Sequence, residues 1–586
     1  MAAGVDRDSV EVNSKFLTSS YKKYALHALW LAPLAFLGLF YFYPMGSILE
    51  ISFSRTEGSQ AAPFIQALAS ERVRRVLGFT FFQASLSTAL TLLVGLPGAY
   101  LLARYDFRGK SLLRALTGIA FVLPTLVVAA AFNAMLGPRG WVNVGLMELF
   151  DLSQPPIQFI NTFSAILIAH VFYNTTIVLR MVGDYWSHID PRMGQAAQVL
   201  GANRLQTLLR VILPLLMPVI ITAALLVFIF NFTSFGVILV LGGPRFATLE
   251  VEIFYQTVSL FNLPLAATLS ILQLACTLIL MVIYTRLSAK LTRPLSLRPR
   301  KFTQRKLTSW RSRLLAALLV IMLLGMLTAP LIALAARSFT RLDPEPGQHA
   351  FFASGLTLDF YKELTTNRRG SLFYVSPLTA IAVSIGYAAA TVFLALALGL
   401  PAAWALARNS NSKFNRFIDP IIMLPLGTSA VTLGLGFIVA FNRPPLDLRA
   451  SILLIPLAHT LVALPFVVRS LTPSLRSIRP RLRQAAQVMG ASPMQVFRHI
   501  DLPMVGRALL VAATFAFTIS LGEFGATALI ARPEYPTIPI MIYRFISQPG
   551  SLNYGQALAL STILMAATAA GMLAIERFRI ADVGEF

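Results

Sequence analysis

Three ionisable side chains stand where the sequence is otherwise apolar, and they limit the chemistry this chain could do. Glu523 lies between Gly522 and Gly525 at the end of a long hydrophobic run, and His170 and His459 occupy matching places in two other runs. A carboxylate inside a membrane is costly and is by default a functional-site candidate. Glu523 is therefore a candidate for lining a cation pathway; its plainer uses are a place near the outer boundary or a pairing with Arg532. Two histidines meeting on a symmetry axis would bind a metal, but the commoner role is hydrogen bonding between neighbouring helices, so no metal site is assigned. Ser234 holds the place of Glu523 earlier in the chain, which makes any cation attraction one-sided. Ser234, Glu523, His170 and His459 are the candidate substrate pathway. Asn174, Thr175 and Thr176 read as helix–helix hydrogen bonders.

Catalysis finds no support. There are no paired carboxylates, no nucleophile elbow and no metal-ligand spacing. The single cysteine, Cys276, lies in a hydrophobic run, so neither an internal disulfide nor a cysteine-based metal site follows. Gly109-Lys110-Ser111 lacks the upstream glycine of a phosphate-cradling loop, because position 104 is Arg. ATP hydrolysis is not expected of this chain.

A mechanical element is spelled twice. Gly194-Gln195-Ala196-Ala197-Gln198-Val199-Leu200-Gly201 is followed after nine residues by Val211-Ile212-Leu213-Pro214, and Arg483-Gln484-Ala485-Ala486-Gln487-Val488-Met489-Gly490 after nine by Ile500-Asp501-Leu502-Pro503. Residues 191–210 are expected to form a short helix ending near Gly201 and a second after it. Glycine permits the turn without a Cβ penalty, small Ala196 and Ala197 allow close approach, and Pro214 is expected to end the second helix. Two polar helix–turn–helix loops in an apolar chain point to a docking surface presented twice.

The elements that carry these residues follow from composition. Hydrophobic residues make up 56% of the 586, charged residues 13%, and mean hydropathy is +0.70. The apolar residues gather into runs of about 20, long enough to cross a bilayer as helices. Twelve spans are expected, at about 25–49, 77–102, 113–136, 162–182, 217–241 and 264–287, then about 314–336, 378–406, 418–441, 452–470, 506–530 and 554–575. The net charge of +24 would suggest nucleic acid in a soluble chain. Here ten Lys/Arg and no Asp/Glu fall between Arg286 and Arg313, in one loop, which fits the positive-inside rule; no nucleic-acid partner is expected. Both termini come out cytoplasmic, and the first span is too long for a signal-peptide core. Arg72, Arg74 and Arg75 are an exception to the basic bias.

The halves repeat in parallel. Gly95-Leu96-Pro97 returns as Gly399-Leu400-Pro401, an offset of 304; from Ala169-His170 and Ala458-His459 onward the offset is 289. Six spans per half give both copies the same orientation, a fused pseudo-dimer about an axis along the membrane normal. The expected layout is an N-terminal tail 1–23, a first transmembrane domain 24–287, a basic linker 288–313, a second domain 314–579 and a tail 580–586.

Ala-Ala, three residues, Gly, nine residues, an aliphatic residue, one more and Leu-Pro resembles the cytoplasmic signature of type I binding-protein-dependent ABC importer permeases. The resemblance implies an all-α membrane fold of about 12 helices. It also implies coupling helices that fit a groove on a nucleotide-binding subunit. The residues carried over are Gln195, Ala196, Ala197, Gly201, Leu213 and Pro214, with Gln484, Ala485, Ala486, Gly490, Leu502 and Pro503. The family usually has Glu where this chain has Gln195 and Gln484. The implied partners are two copies of an ABC ATPase subunit, which would bind the ATP and Mg, and a periplasmic or extracellular solute-binding protein meeting the outer loops, including 337–376. No cofactor is expected on this chain, and a prokaryotic inner membrane is the implied location. The double length resembles fused permeases for ferric iron or thiamine. Phe121-Val122-Leu123-Pro124 with Gly137-Pro138-Arg139-Gly140-Trp141, and Leu241-Gly242-Gly243-Pro244 through Thr248-Leu249-Glu250-Val251, lean toward thiamine. The alternative is a twelve-span secondary transporter driven by an ion gradient, also built from two six-span halves.

Overall fold

The computed structural model describes residues 29–53, 69–291, 304–307, 309–341, 355–366, 375–408, 412–442 and 446–578. The tails expected at 1–23 and 580–586 lie outside the described residues, as do parts of the linker and of the 337–376 segment. The first half runs through α1 (Leu29–Phe53), α2 (Glu71–Arg104), α3 (Lys110–Val122), α4 (Thr125–Leu136) and α5 (Phe163–Ser187). It continues through α6 (Pro191–Val199), α7 (Arg204–Phe232), α8 (Gly236–Leu241), α9 (Leu249–Phe254) and α10 (Leu263–Leu291). The second half repeats this order as α11 (Trp310–Ser338), α12 (Pro377–Arg408), α13 (Lys413–Met423), α14 (Ala430–Ala440) and α15 (Leu454–Ser477). It ends with α16 (Pro480–Val488), α17 (Pro493–Gly522), α18 (Thr527–Ile530), α19 (Ile538–Ile546) and α20 (Ser551–Phe578). Among the described residues β structure is confined to a two-residue parallel pair, Tyr105–Asp106 with Arg305–Lys306, and one isolated bridge.

Among the described residues ten helices are individually long and apolar enough to cross a membrane, and twelve spans are reached only by counting two bent pairs. The spans expected at 113–136 and 418–441 are these pairs, bent by 110° and 95°. Leu123 and Pro124 are extended at the first break, because a residue before proline is driven out of the α region. Pro425 lies in a short 3-10 turn, Leu424–Gly427, at the second. The spans expected at 217–241 and 506–530 also break, between α7 and α8 and between α17 and α18. Pro214 and Pro503 do not end helices. A π-turn at Leu208–Ile212 and another at Phe497–Asp501 precede them, and α7 and α17 run straight on. The wider turn removes the i−4 clash that proline would otherwise create.

The repeated glycines at the α2–α5 and α12–α15 crossings explain the recurrence of Gly-Leu-Pro. A Cβ on Gly95 would lie 2.7 Å from Val178 Cβ, and one on Gly399 2.6 Å from Val467 Cγ1. Val178 and Val467 are themselves repeat mates, so both halves close the same crossing with the same small residue. The first helix of each half crosses over: α1 packs on α10 and on α14 of the other half, and α11 on α20 and on α4 of the other half. Their interlock joins the two repeats into one helical body. Arg72, out of place by the charge rule, pairs through Nε with Glu252 at 2.9 Å.

Candidate functional site

The two repeated loops have the same build from the backbone up. α6 starts at Pro191, with the Asp190 carboxylate accepting from the Arg192 N–H, and α16 starts at Pro480. Each ends in a left-handed glycine, Gly201 at φ +88° and Gly490 at φ +86°. The N–H of Ala202 then reaches back to the Ala197 carbonyl, and that of Ala491 to the Ala486 carbonyl, both at 3.0 Å, a glycine-based helix stop. Asn203 with Gln206 and Ser492 with Gln495 form capping boxes that start the next helices. At the tip between the two helices Val199 is 86% exposed and Leu200 88%, matched by Val488 at 88% and Met489 at 81%. The alanine pairs split: Ala486 turns inward and Ala197 is half-buried, while Ala196, Ala485, Gln195 and Gln484 face outward. Leu213 and Leu502 are half-buried where α7 and α17 enter the apolar region, and Pro214 and Pro503 are exposed.

Ser234 and Glu523 lie in the breaks after α7 and α17, and His170 of α5 and His459 of α15 bond to them. Both ring nitrogens of His170 are occupied within its own half, Nδ1 by Ser87 Oγ at 3.1 Å and Nε2 by Ser234 Oγ at 2.9 Å. His459 does likewise, Nδ1 with Ser520 Oγ at 2.7 Å and Nε2 with Thr527 Oγ1 at 2.9 Å. Its Nε2 also stands 3.2 Å from Glu523 Oε2. Glu523 accepts from the N–H groups of Ala526 at 2.8 Å and Thr527 at 3.0 Å, so its carboxylate caps the second break. The repeat therefore preserves a pairing and changes its chemistry: His170 with Ser234, His459 with Glu523. Arg532 is bonded elsewhere, to the Ala450 carbonyl and to Glu534. Among the described residues no group of three or more His, Cys, Asp or Glu could hold a metal. Asn174 bonds Asn231 at 2.7 Å and Thr176 bonds the Thr117 carbonyl at 2.8 Å, both between helices, while Thr175 bonds its own helix.

Directly after these residues the two halves touch. Phe235 stacks on Phe524 with centroids 5.4 Å apart and planes at 19°. Phe254 lies 5.4 Å from Phe235, Tyr543 lies 5.5 Å from Phe524, and Phe254 meets Tyr543 edge-on at 6.5 Å. All four sit at repeat-related positions, 235 with 524 and 254 with 543. The quartet forms a four-ring contact between the halves. Beside it Glu250 of α9, fully buried, accepts from Ser429 of the other half and from Gln273 of α10. Reading the sequence missed both features. Extending the 289-residue offset to every aromatic would have found the quartet; nothing local marks the Glu250–Ser429 tie.

The family model described as "Binding-protein-dependent transport system inner membrane component" matches residues 95–293 and again 395–579. A thiamine transport system permease protein of Salmonella typhimurium is 27% identical over 84% of this chain and 87% of its own length. A probable ABC transporter permease protein of Sinorhizobium fredii is 27% identical over 93% of this chain and 95% of its own. A thiamine transport system permease protein of Brucella abortus is 28% identical over 87% of each.

Proposed function

Because the chain belongs to the family of binding-protein-dependent transport system inner membrane components, matched in both halves, we propose how this permease is driven and what it carries. It is the transmembrane permease subunit of an ABC importer, a multi-pass protein of the inner membrane, and the ion-gradient alternative is not favoured. Its cargo is thiamine, on the strength of relatives of the same double length that bear that name. Two copies of an ATPase subunit, each holding ATP and Mg, dock on the α6 and α16 loops at the cytoplasmic face. The Lys/Arg bias supports a cytoplasmic side for both termini too. A solute-binding protein meets the opposite face, where a pocket of about 970 Å³ is lined in part by Trp141, Phe339, Arg341, Asp359 and Lys362.

The observation that carries the reading is the matched pair of loops. Each presents an apolar tip to solvent at the end of a short helix stopped by a left-handed glycine, a shape suited to a groove on a partner. Closure of the ATPase pair would move each loop with its half and part the aromatic quartet. Ser234, Glu523, His170 and His459 act behind the quartet as the packing that holds the two helix breaks in place, so a broken helix lines the route.

The test is uptake into liposomes holding the permease and its ATPase subunit, with binding protein outside. Labelled thiamine should enter only with ATP inside, and excess ferric iron should not compete. Uptake that survives without ATP and collapses with a protonophore would contradict the reading.

A further inference from the structure

Asp501 is fully buried and is the acceptor for three donors from two elements: Arg483 Nε at 2.6 Å, and Arg408 Nη2 and Trp404 Nε1, each at 3.1 Å. Arg483 belongs to α16, while Trp404 and Arg408 belong to the end of α12. The Arg408 guanidinium also lies 4.6 Å over the Trp404 ring, which meets Phe497 edge-on at 5.5 Å. Arg483 reaches further, to the Leu475 carbonyl near the end of α15 at 3.4 Å. One carboxylate thus joins the second docking helix to the helices that carry its half. A charge-assisted, multiply bonded carboxylate is short-range and geometrically strict, and removing one partner of such a buried set leaves an uncompensated charge.

The first half has the same positions but not the carboxylate or the arginine that meets it. Ile212 replaces Asp501 and Gly194 replaces Arg483 at the 289 offset; Tyr100 replaces Trp404 and Arg104 matches Arg408 at the 304 offset. The geometry is kept: a Cβ on Gly194 would lie 3.3 Å from Thr207 Cγ2 and 3.8 Å from Ile212 Cδ1, so position 194 faces 212 as Arg483 faces Asp501. Tyr100 packs on Trp186 with centroids 5.1 Å apart, and Arg104 bonds the Ile189 carbonyl at 3.4 Å. At the place where an ionic joint holds the second loop, the first has an apolar contact between positions 194 and 212.

We propose that Asp501 is a positioning residue that transmits motion between the second ATPase-docking loop and its membrane helices, and that the two loops are therefore mechanically unequal. Movement of α16 is passed directly to α12 and α15 through the carboxylate. Movement of α6 is passed at that point by packing, beside the Arg104 bond to the Ile189 carbonyl, and with more slack. The proposal rests on the docking reading above.

The experiment uses the reconstituted permease–ATPase complex with binding protein and reads three quantities: ATPase subunit retained, basal ATP turnover, and thiamine taken up per ATP hydrolysed. For D501N the subunit should stay bound and basal turnover persist. Uptake per ATP should fall about tenfold, within the range by which residues in a coupling network alter it, and D501E should restore part of it. The double variant D501I/R483G gives these two positions the residues the first half already folds with, so it covers the case in which D501N fails to fold. It should show the same loss, while I212V in the first half should show none. An unchanged ratio in D501N and in the double variant would overturn the proposal, as would loss of the ATPase subunit from D501N. If the unaltered chain retains no ATPase subunit, the docking reading itself fails and takes this proposal with it.

Discussion

Phe235 and Phe524, 289 positions apart, lie ring on ring with their centroids 5.4 Å apart. Each is the other's repeat mate. A residue can touch its own mate only next to the symmetry axis, so this one contact locates the axis between the halves. In a two-half permease the route for cargo runs along that axis. Phe254 and Tyr543 flank the stack and make the closure four-sided.

Shaving a ring from this closure should loosen it without unfolding the halves. An aromatic pair contributes about 1 kcal/mol beyond the area it buries, roughly a factor of five in an equilibrium. F524A and F235A should raise ATP turnover in the absence of loaded binding protein by about that factor, and F524Y should not. Turnover assays on reconstituted complex decide it, and equal basal rates in all three would show that the stack does not hold the pathway shut.

The two left-handed glycines make a purely backbone test. A Cβ at Gly201 or Gly490 meets nothing within 4 Å, so G201A and G490A lose only conformational freedom, at a cost of about 1–2 kcal/mol each. The double variant should retain its spans yet release the ATPase subunit and lose uptake, while Asn at both sites, which tolerates this conformation better, should keep most of both. Co-purification with the subunit reads this directly.

Glu523 and His459 test whether the second break is held as its geometry indicates. E523A strips the acceptor from the Ala526 and Thr527 N–H groups and a partner from His459, a loss of about 2–3 kcal/mol. The thermal midpoint in detergent should drop. E523S, which rebuilds the His170–Ser234 arrangement in the second half, should drop less. Should alanine and serine match the unaltered chain, the carboxylate contributes nothing to the break.

Much of this was legible in the sequence, because the repeat carries it. The 289 offset pairs His170 with His459 and Ser234 with Glu523, and in each half the structure brings the histidine Nε2 to that mate. Gly95 and Gly399 could be read as structural for the same reason. The helix breaks were not legible. Phe121-Val122-Leu123-Pro124 is as apolar as its flanks, and Thr233 and Ser234 are too small an interruption between Phe232 and Phe235 to mark a bend, so hydrophobicity runs on across each break. Nor was the Asp501 joint: its partners Trp404 and Arg408 stand 97 and 93 positions away, and nothing near Asp501 marks them. The split of Ala196 from Ala197 depended on where the helix turns at Gly201, a detail of one residue's backbone.

The central claim is that the two loops couple this chain to an ATPase, and the most direct measurement is binding-protein-stimulated ATP turnover of the complex when the apolar tips are made polar. Val199, Leu200, Val488 and Met489 are exposed and pack on little within the chain, so V199D/L200D and V488D/M489D should fold. Each pair is predicted to weaken the ATPase subunit's hold, and the two together should abolish both its co-purification and the stimulation by thiamine-loaded binding protein. Full stimulation with all four tips changed to Asp would contradict the account.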